Sequence, residues 1–469
     1  MDKNLVKKDV KTSLGIYAKS SPTCGEDEKA KNSTNTKVTK DKGISKTELK
    51  LINQKNRFKR YQLLRNARRI FLDYAKENKV KTCDLHKVSR TINCKYALSA
   101  GYENVEVHCD SKTAYYVGLQ TCGSVWTCPI CAARVAEVRR KEIERAVGNG
   151  YGLGYQSIMV TLTFPHSKKM PLKELLQKQS LALSYLRKGN SWDCFKKNID
   201  FQGLIRALEL TYGANGWHPH THELWFVSPR LKEEGIKTFL TNRWINCLEK
   251  AGLVSKIRDK KTNEALNKRA VDIKMNCKSS DYLSKNDNLN WGVDREIAKS
   301  ANKGKSKGLH PFELLEDVVG NASQSLVQYA VDIEENYSQL FIEYAEAMKG
   351  KSQLFWSKDL KEKLKVDVLT DEEILENEEN LDEEEKLFDR EIYFKEEEWE
   401  VIAKREMRAY VLNLLENAGE NIEKEYENLL NEIAVDVEVY KAIQETRIKS
   451  QKANPVLQGD LVLIDECPF

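Results

Sequence analysis

Residues 217–226 read WHPHTHELWF and hold three of the chain's seven histidines within five positions. On an extended strand, side chains alternate between faces. His218, His220, His222, Leu224 and Phe226 then share one face, and Thr221, Glu223 and Trp225 the other. Two imidazoles two positions apart stand roughly 6–7 Å apart, close enough to converge on one divalent cation. A lone HxH is a weak signal, so its meaning depends on the rest of the chain.

Immediately upstream, Gly203–Thr211 has the pattern of a strand that enters the turn GANG (213–216) and returns through the histidine stretch, a hairpin. Glu209 lies on the entering strand, and neighbouring antiparallel strands bring such side chains into contact when the register permits. Two imidazoles plus a carboxylate form a facial site with open positions. That suits Mg²⁺ or Mn²⁺ holding a phosphate oxygen, with Zn²⁺ also compatible. His218 precedes Pro219 at the strand's start and reads as a rim or phosphate-contacting residue. His166 follows the β-branched strand Tyr155–Pro165 and is a weaker candidate.

Two further clusters carry chemistry. In DYLSK (281–285), Ser279, Ser280 or Asp281 can cap a helix, which puts Tyr282 and Lys285 three apart on one face. A phenol with an ordinary pKa of about 10 needs help to act as a nucleophile. A cation on the target phosphate and the neighbouring ammonium supply that help. TCGSVWTCPICAARV provides Cys122, Cys128 and Cys131 in a spacing that points to structural zinc. Cys94, Cys109 and His108 all qualify as a fourth ligand, Cys83 less so. Cys24, Cys194, Cys247, Cys277 and Cys467 are scattered.

The chain has 469 residues, 41% hydrophobic and 31% charged, with room for two or three domains. It contains no apolar run near membrane-spanning length and no apolar signal core at its start, so a cytoplasmic location is expected, with no membrane partner. In that compartment the eleven cysteines are expected to be reduced. The net charge of +5 hides an asymmetry. Residues 1–69 carry 19 basic against 7 acidic groups, whereas residues 371–400 carry 16 acidic against 3 basic. The basic end suggests a polyanionic partner; the acidic block reads as a solvated helix face.

Along the chain the expected organisation is a disordered basic arm (1–54), a basic helix at 56–79 with the cysteine-rich segment (55–150), a central domain (151–320), and an almost continuously helical, partly acidic region (321–469). Helices are also expected at Ala132–Val147, Pro171–Leu186 and Glu233–Ala251. Lys303, Lys305 and Lys307, in the loop SANKGKSKG, are candidate DNA contacts together with His218.

The order of these motifs, TLT (161–163), WHPHTH and YLSK, resembles that of the HUH endonucleases, and most closely the single-tyrosine replication initiators of rolling-circle plasmids. LQTCGSVWTCPICAARVAEVRRKEI is similar to the cysteine segment that precedes the first motif in these proteins, and GLHPFELL (308–315) is similar to a later stretch of theirs. The likeness covers about residues 90–320. It implies an α+β fold with an antiparallel sheet of ferredoxin- or RRM-like plan flanked by helices, a small zinc-binding segment and a helical C-terminal extension. It implies metal ligation by His220, His222 and Glu209, a nicking nucleophile in Tyr282 assisted by Lys285, and structural zinc on Cys94, Cys122, Cys128 and Cys131.

The implied reaction is strand transfer at a replication origin through a 5′-phosphotyrosine, leaving a 3′-hydroxyl as primer. The expected partners are origin DNA (single-stranded or an extruded hairpin) and host helicase and polymerase machinery, and the acidic helical C-terminal region could bind host replication proteins or form a homodimer. One departure stands out. Some relatives place a glutamate four positions before the tyrosine, where this chain has Lys278, with Asp281 beside the tyrosine instead. Termination by water, by a second tyrosine such as Tyr212 or by another subunit therefore stays open. The competing readings are a relaxase or transposase with the same chemistry, and a non-catalytic zinc-dependent DNA-binding protein.

Overall fold

The computed structural model describes residues 45–109, 113–279, 308–316, 336–371, 373–374 and 390–453. Tyr282, Lys285, Lys303, Lys305 and Lys307 lie outside the described residues.

The centre is a five-stranded sheet built from β3 (Gln156–Leu162), β4 (Gly203–Gly213), β5 (Gly216–Val227), β6 (Val271–Lys274) and β7 (Leu354–Trp356). The spatial order is β6-β3-β5-β4-β7, and each neighbouring pair is antiparallel. The hairpin expected from GANG is present, with Gly213 opposite Gly216. Its left-handed residue is Gly216 at φ 85°, where a Cβ would meet the Lys168 backbone at 2.8 Å. Glycine is the residue that tolerates both constraints.

Alternation along β5 decides which face meets which helix. Trp217, Trp225 and Val227, with Ile158, Val160 and Leu162 of β3, pack against α4 (Leu172–Leu186) and α6 (Glu233–Lys250) through Leu175, Leu176, Leu240 and Trp244. Leu224 and Phe226, with Met159, Ile205 and Ala207, pack against α3 (Pro129–Gly152) and α9 (Leu360–Lys363). Each such side chain contributes roughly 1.5–3 kcal/mol when buried. A one-residue slip would turn both tryptophans to the wrong face, so the two cores pin the register that the histidines depend on. The second core ends short of His220 and His222, leaving that end of the face to polar residues.

The remaining helices in the first part of the chain are α1 (Lys46–Glu77), α2 (Leu85–Val88), α5 (Asn190–Asn198) and α7 (Lys260–Arg269). Helix α1 starts at a capping box, in which Ser45 Oγ accepts from Glu48 N and Glu48 accepts from Ser45 N. It therefore begins upstream of the boundary drawn at residue 54. Its buried side includes Leu63, Leu64, Ala67, Ile70 and Phe71. Arg57 pairs with Glu416 and Lys59 with Glu316, and Arg68 bonds the Ile92 carbonyl. This helix is an internal strut, and three of the cations expected to meet phosphates are engaged within the fold.

The region after residue 321 was expected to be nearly all helix and contains two strands among its described residues, β7 and β8 (Arg390–Lys395). Strand β8 pairs with β1 (Asn104–Cys109), which pairs with β2 (Ala114–Val117), in a second antiparallel sheet. The sequence REIYFK alternates, burying Ile392 and Phe394 and exposing Glu391 and Tyr393. That period of two was hidden inside the acidic block. Helices α10 (Glu396–Lys404), α11 (Arg408–Ala418) and α12 (Ile422–Ala453) cover this sheet through Trp399, Ile402, Leu412, Leu429 and Ile433, while α8 (Tyr337–Met348) joins the central core. The C-terminal helices thus share a core with the cysteine-rich segment and are no detached appendage. No helix among the described residues is long and apolar enough to cross a membrane.

Candidate metal centres

Glu209 stands directly opposite His220 in the β4–β5 register, and His222 stands opposite Thr161 of β3. One carboxylate oxygen, Glu209 Oε2, lies 2.9 Å from His222 Nε2 and 3.2 Å from His220 Nε2. Glu209 and His222 are buried and His220 is partly exposed, so the trio opens on one side. The outer ring nitrogens face acceptors: Thr161 Oγ1 lies 3.0 Å from His222 Nδ1, and the His218 carbonyl lies 3.4 Å from His220 Nδ1. Such partners fix ring orientation and aim the inner nitrogens at a common point. Burial pushes the Glu209 carboxyl up, but the hydrogen bonds and charges of His220 and His222 outweigh it and hold it well below the usual carboxylate range.

The three ligand atoms lie within 4.8 Å of one another. Adjacent ligands of an octahedral ion with bonds of about 2.1 Å are separated by about 3 Å, the spacing found here between oxygen and each nitrogen. The donor set therefore fits a small divalent cation, and His220, His222 and Glu209 are the residues that can hold it.

His218 was read as a rim residue. Its ring stacks on His166 with centroids 4.5 Å apart, and lies 4.9 Å from that of His220. Four imidazoles thus form a row, and His166, the weaker candidate, is part of it. Burial first, then the neighbouring charges of His220 and His166, push His218 down to about 3. The ring is therefore neutral at pH 7. The role of Thr161 was not read from the TLT stretch, although pairing of that strand with the histidine strand would have suggested it. Tyr212, considered as a second nucleophile, is buried against Trp217 in the core on the face away from Glu209. Glu223, assigned to that opposite face, pairs there with Arg187 and accepts from Trp225 Nε1.

The stretch GLHPFELL docks beside the same hairpin. Leu309 exchanges backbone hydrogen bonds with Tyr212, and the closely approaching Gly308 would place a Cβ 2.8 Å from the Tyr212 carbonyl oxygen. At the other end of the sheet, Cys277 N donates to the Ser157 carbonyl at 2.7 Å. The described flanks of residues 280–307 therefore sit at opposite ends of the sheet that carries the histidines.

Cys94, Cys122, Cys128 and Cys131 form a second, wholly buried group. Sulfur separations of 3.6–3.7 Å link Cys94 to Cys128 and Cys131, and Cys122 to Cys131. A disulfide requires about 2.05 Å, whereas four thiolates at about 2.3 Å from a tetrahedral Zn²⁺ stand about 3.8 Å apart. Backbone N–H groups of Cys122, Ser124 and Cys131 donate to the sulfurs of Cys94, Cys122 and Cys128. Burial pushes the Cys122 and Cys128 thiols well up, whereas hydrogen bonds from the neighbouring thiols hold Cys131 well down. The alternatives for the fourth position lie elsewhere: Cys109 bonds the Arg390 carbonyl, His108 pairs with Glu106, and Cys83 is exposed.

Comparison with known proteins gives this geometry a setting. The family model described as "Replication protein" matches residues 118–408, a span containing both the Glu–His–His trio and three of the four clustered cysteines. "Protein rep" of Streptomyces lividans is 26% identical over 305 residues, covering 54% of this chain and 66% of that protein. "Neomycin resistance protein" of Streptomyces cyanogenus is 29% identical over 142 residues, covering 25% of this chain and 32% of the relative. The matches thus span less than two thirds of either relative's length. No solved structure matches the chain. With the family match spanning more than half of its residues, the chain belongs to the replication-protein family.

Proposed function

We propose that this protein initiates plasmid replication by cutting one strand of origin DNA, with Tyr282 as nucleophile and a divalent cation, Mg²⁺ or Mn²⁺, at Glu209, His220 and His222. The observation that carries this reading is the convergence of one carboxylate and two oriented imidazoles on one face of the sheet, partly exposed at His220, in a member of a replication-protein family.

A cation bound by the trio would draw charge from a phosphate and make its phosphorus more electrophilic. The protein's own groups do the rest. Thr161 and the His218 carbonyl hold the two rings, and the row of His166 and His218 gives the strand neutral hydrogen-bonding and stacking surfaces. A bond forms from the Tyr282 oxygen to phosphorus while the bond from phosphorus to O3′ breaks. The tyrosine proton leaves, and the departing O3′ takes up a proton to become the primer hydroxyl. Lys285, three residues after Tyr282 in the sequence, would favour the phenolate. The described flanks of residues 280–307, at Cys277 and Leu309, lie at the two ends of the sheet that carries the trio. We propose that the cysteine cluster holds structural zinc and that Lys303, Lys305 and Lys307 contact DNA.

Incubating the protein with Mn²⁺ and single-stranded oligonucleotides of the native origin, then separating products under denaturing conditions, tests this. A covalent protein–DNA adduct is expected, absent from Tyr282→Phe and from His222→Ala. An adduct undiminished in Tyr282→Phe would refute the assigned nucleophile.

A further inference from the structure

Residues 255–269, between α6 and β6, read SKIRDKKTNEALNKR, with six basic groups against two acidic ones. Little of this excursion serves the core: of the ten residues of α7, Leu266 alone is buried. Lys256, Lys260 and Lys261 are exposed and form no ion pair with a described residue. At the tip, Ile257 is 92% exposed.

One exposed apolar residue is ordinary in itself. This one is held out by a pinned loop. Ile257 N donates to Ser255 Oγ, Arg258 pairs with Glu249 at 2.5 Å and also bonds the Ser255 carbonyl, and Asp259 caps α7 through Thr262 N at 2.6 Å. The far end of α7 is tied to the site. Thr163, two residues beyond Thr161, donates its hydroxyl to the Arg269 carbonyl and its N–H to the Ala270 carbonyl. The ten-residue helix is thus a rod of about 15 Å between the end of β3, the strand that neighbours the histidine strand, and the loop that carries Ile257.

We propose that residues 255–269 are an arm for duplex DNA, with Lys256, Lys260 and Lys261 on phosphates and Ile257 wedged against a base step. A docking face for a folded protein would show a contiguous apolar patch, whereas this surface shows one aliphatic tip among cations. That combination suits nucleic acid that is gripped through phosphates and opened by an inserted aliphatic side chain. The direction toward the site rests on the nicking proposal; the duplex contact does not.

The test uses the full-length protein with a fluorescent duplex carrying 2-aminopurine, across a KCl series. Wild type is expected to raise 2-aminopurine fluorescence through unstacking, and Ile257→Ser to lose that rise while keeping its salt dependence. The triple variant Lys256→Ala, Lys260→Ala, Lys261→Ala should bind the duplex less tightly. Its log–log salt slope should fall by about 0.9 for each phosphate that is no longer neutralised. An unchanged affinity and slope in the triple variant would overturn the arm, and a silent 2-aminopurine signal in wild type would overturn the wedge. Wild type that binds the duplex in this way yet forms no adduct with single strands would refute the nicking reading and leave the arm standing.

Discussion

Thr161 Oγ1 lies 3.0 Å from Nδ1 of His222, across the β3–β5 pairing. The ring is thereby aimed with Nε2 toward Glu209, so the hydroxyl would act on the proposed metal binding without touching a metal. Replacing such a partner typically costs 10–100-fold in metal affinity. Thr161→Val should weaken Mn²⁺ binding, measured by calorimetry, by about that factor, and Thr161→Ser should restore most of it. Equal affinity in all three proteins would remove this role from Thr161.

The cysteine cluster is wired to the C-terminal helices through the two residues after Cys94. The Lys95 carbonyl accepts from Arg408 Nη1 at 2.9 Å. The Tyr96 carbonyl accepts from Trp399 Nε1 at 2.7 Å, and the Tyr96 ring lies 3.5 Å from the Arg408 guanidinium carbon. A metal present at a thousand times its dissociation constant adds about 4 kcal/mol to stability. Stripping zinc with a strong chelator, or the change Cys94→Ser, should lower the Tm and speed amide exchange in residues 396–418. Exchange there that is indifferent to zinc would show the two parts to be uncoupled.

Alkaline pH should strike the same region. Burial pushes Tyr61 up to about 12, against the pull of the Arg408 and Arg57 charges. Its unfolded value is about 10, so the native state keeps a proton that the unfolded state gives up. The associated stability is fully present below pH 10 and is lost as pH rises from 10 through 12, about 2–3 kcal/mol in all. Tyrosinate absorbance should rise together with loss of helical circular dichroism in that window, and Tyr61→Phe should move the transition upward. Coincident curves for the variant and wild type would assign the transition to other groups.

The turn that aligns the site depends on Gly216. Alanine there faces both φ 85° and a backbone contact at 2.8 Å with Lys168. Such strain costs of order 1–3 kcal/mol. Gly216→Ala should lower Tm by several degrees; a Tm equal to wild type would show that the hairpin relaxes without cost.

Local pattern carried a good deal of this protein. Period-two alternation, a glycine-bearing turn and the identity of the side chains were enough to place Glu209, His220 and His222 on two adjacent strands, because hairpin pairing is decided by neighbours in sequence. The spacing of Cys122, Cys128 and Cys131 was legible for the same reason. For the fourth ligand, spacing left Cys94, Cys109 and His108 open, and Cys94 was named only through the family resemblance; the fold gathers Cys94 with the other three while β1 carries Cys109 and His108 into the second sheet. Pairings over long separations were equally silent. The pairing of β8 with β1, the engagement of the basic α1 by Glu316 and Glu416, and the seating of Leu309 on Tyr212 join residues far apart in the chain. Their cost in loop closure is repaid only by the assembled core, so no local signal announces them.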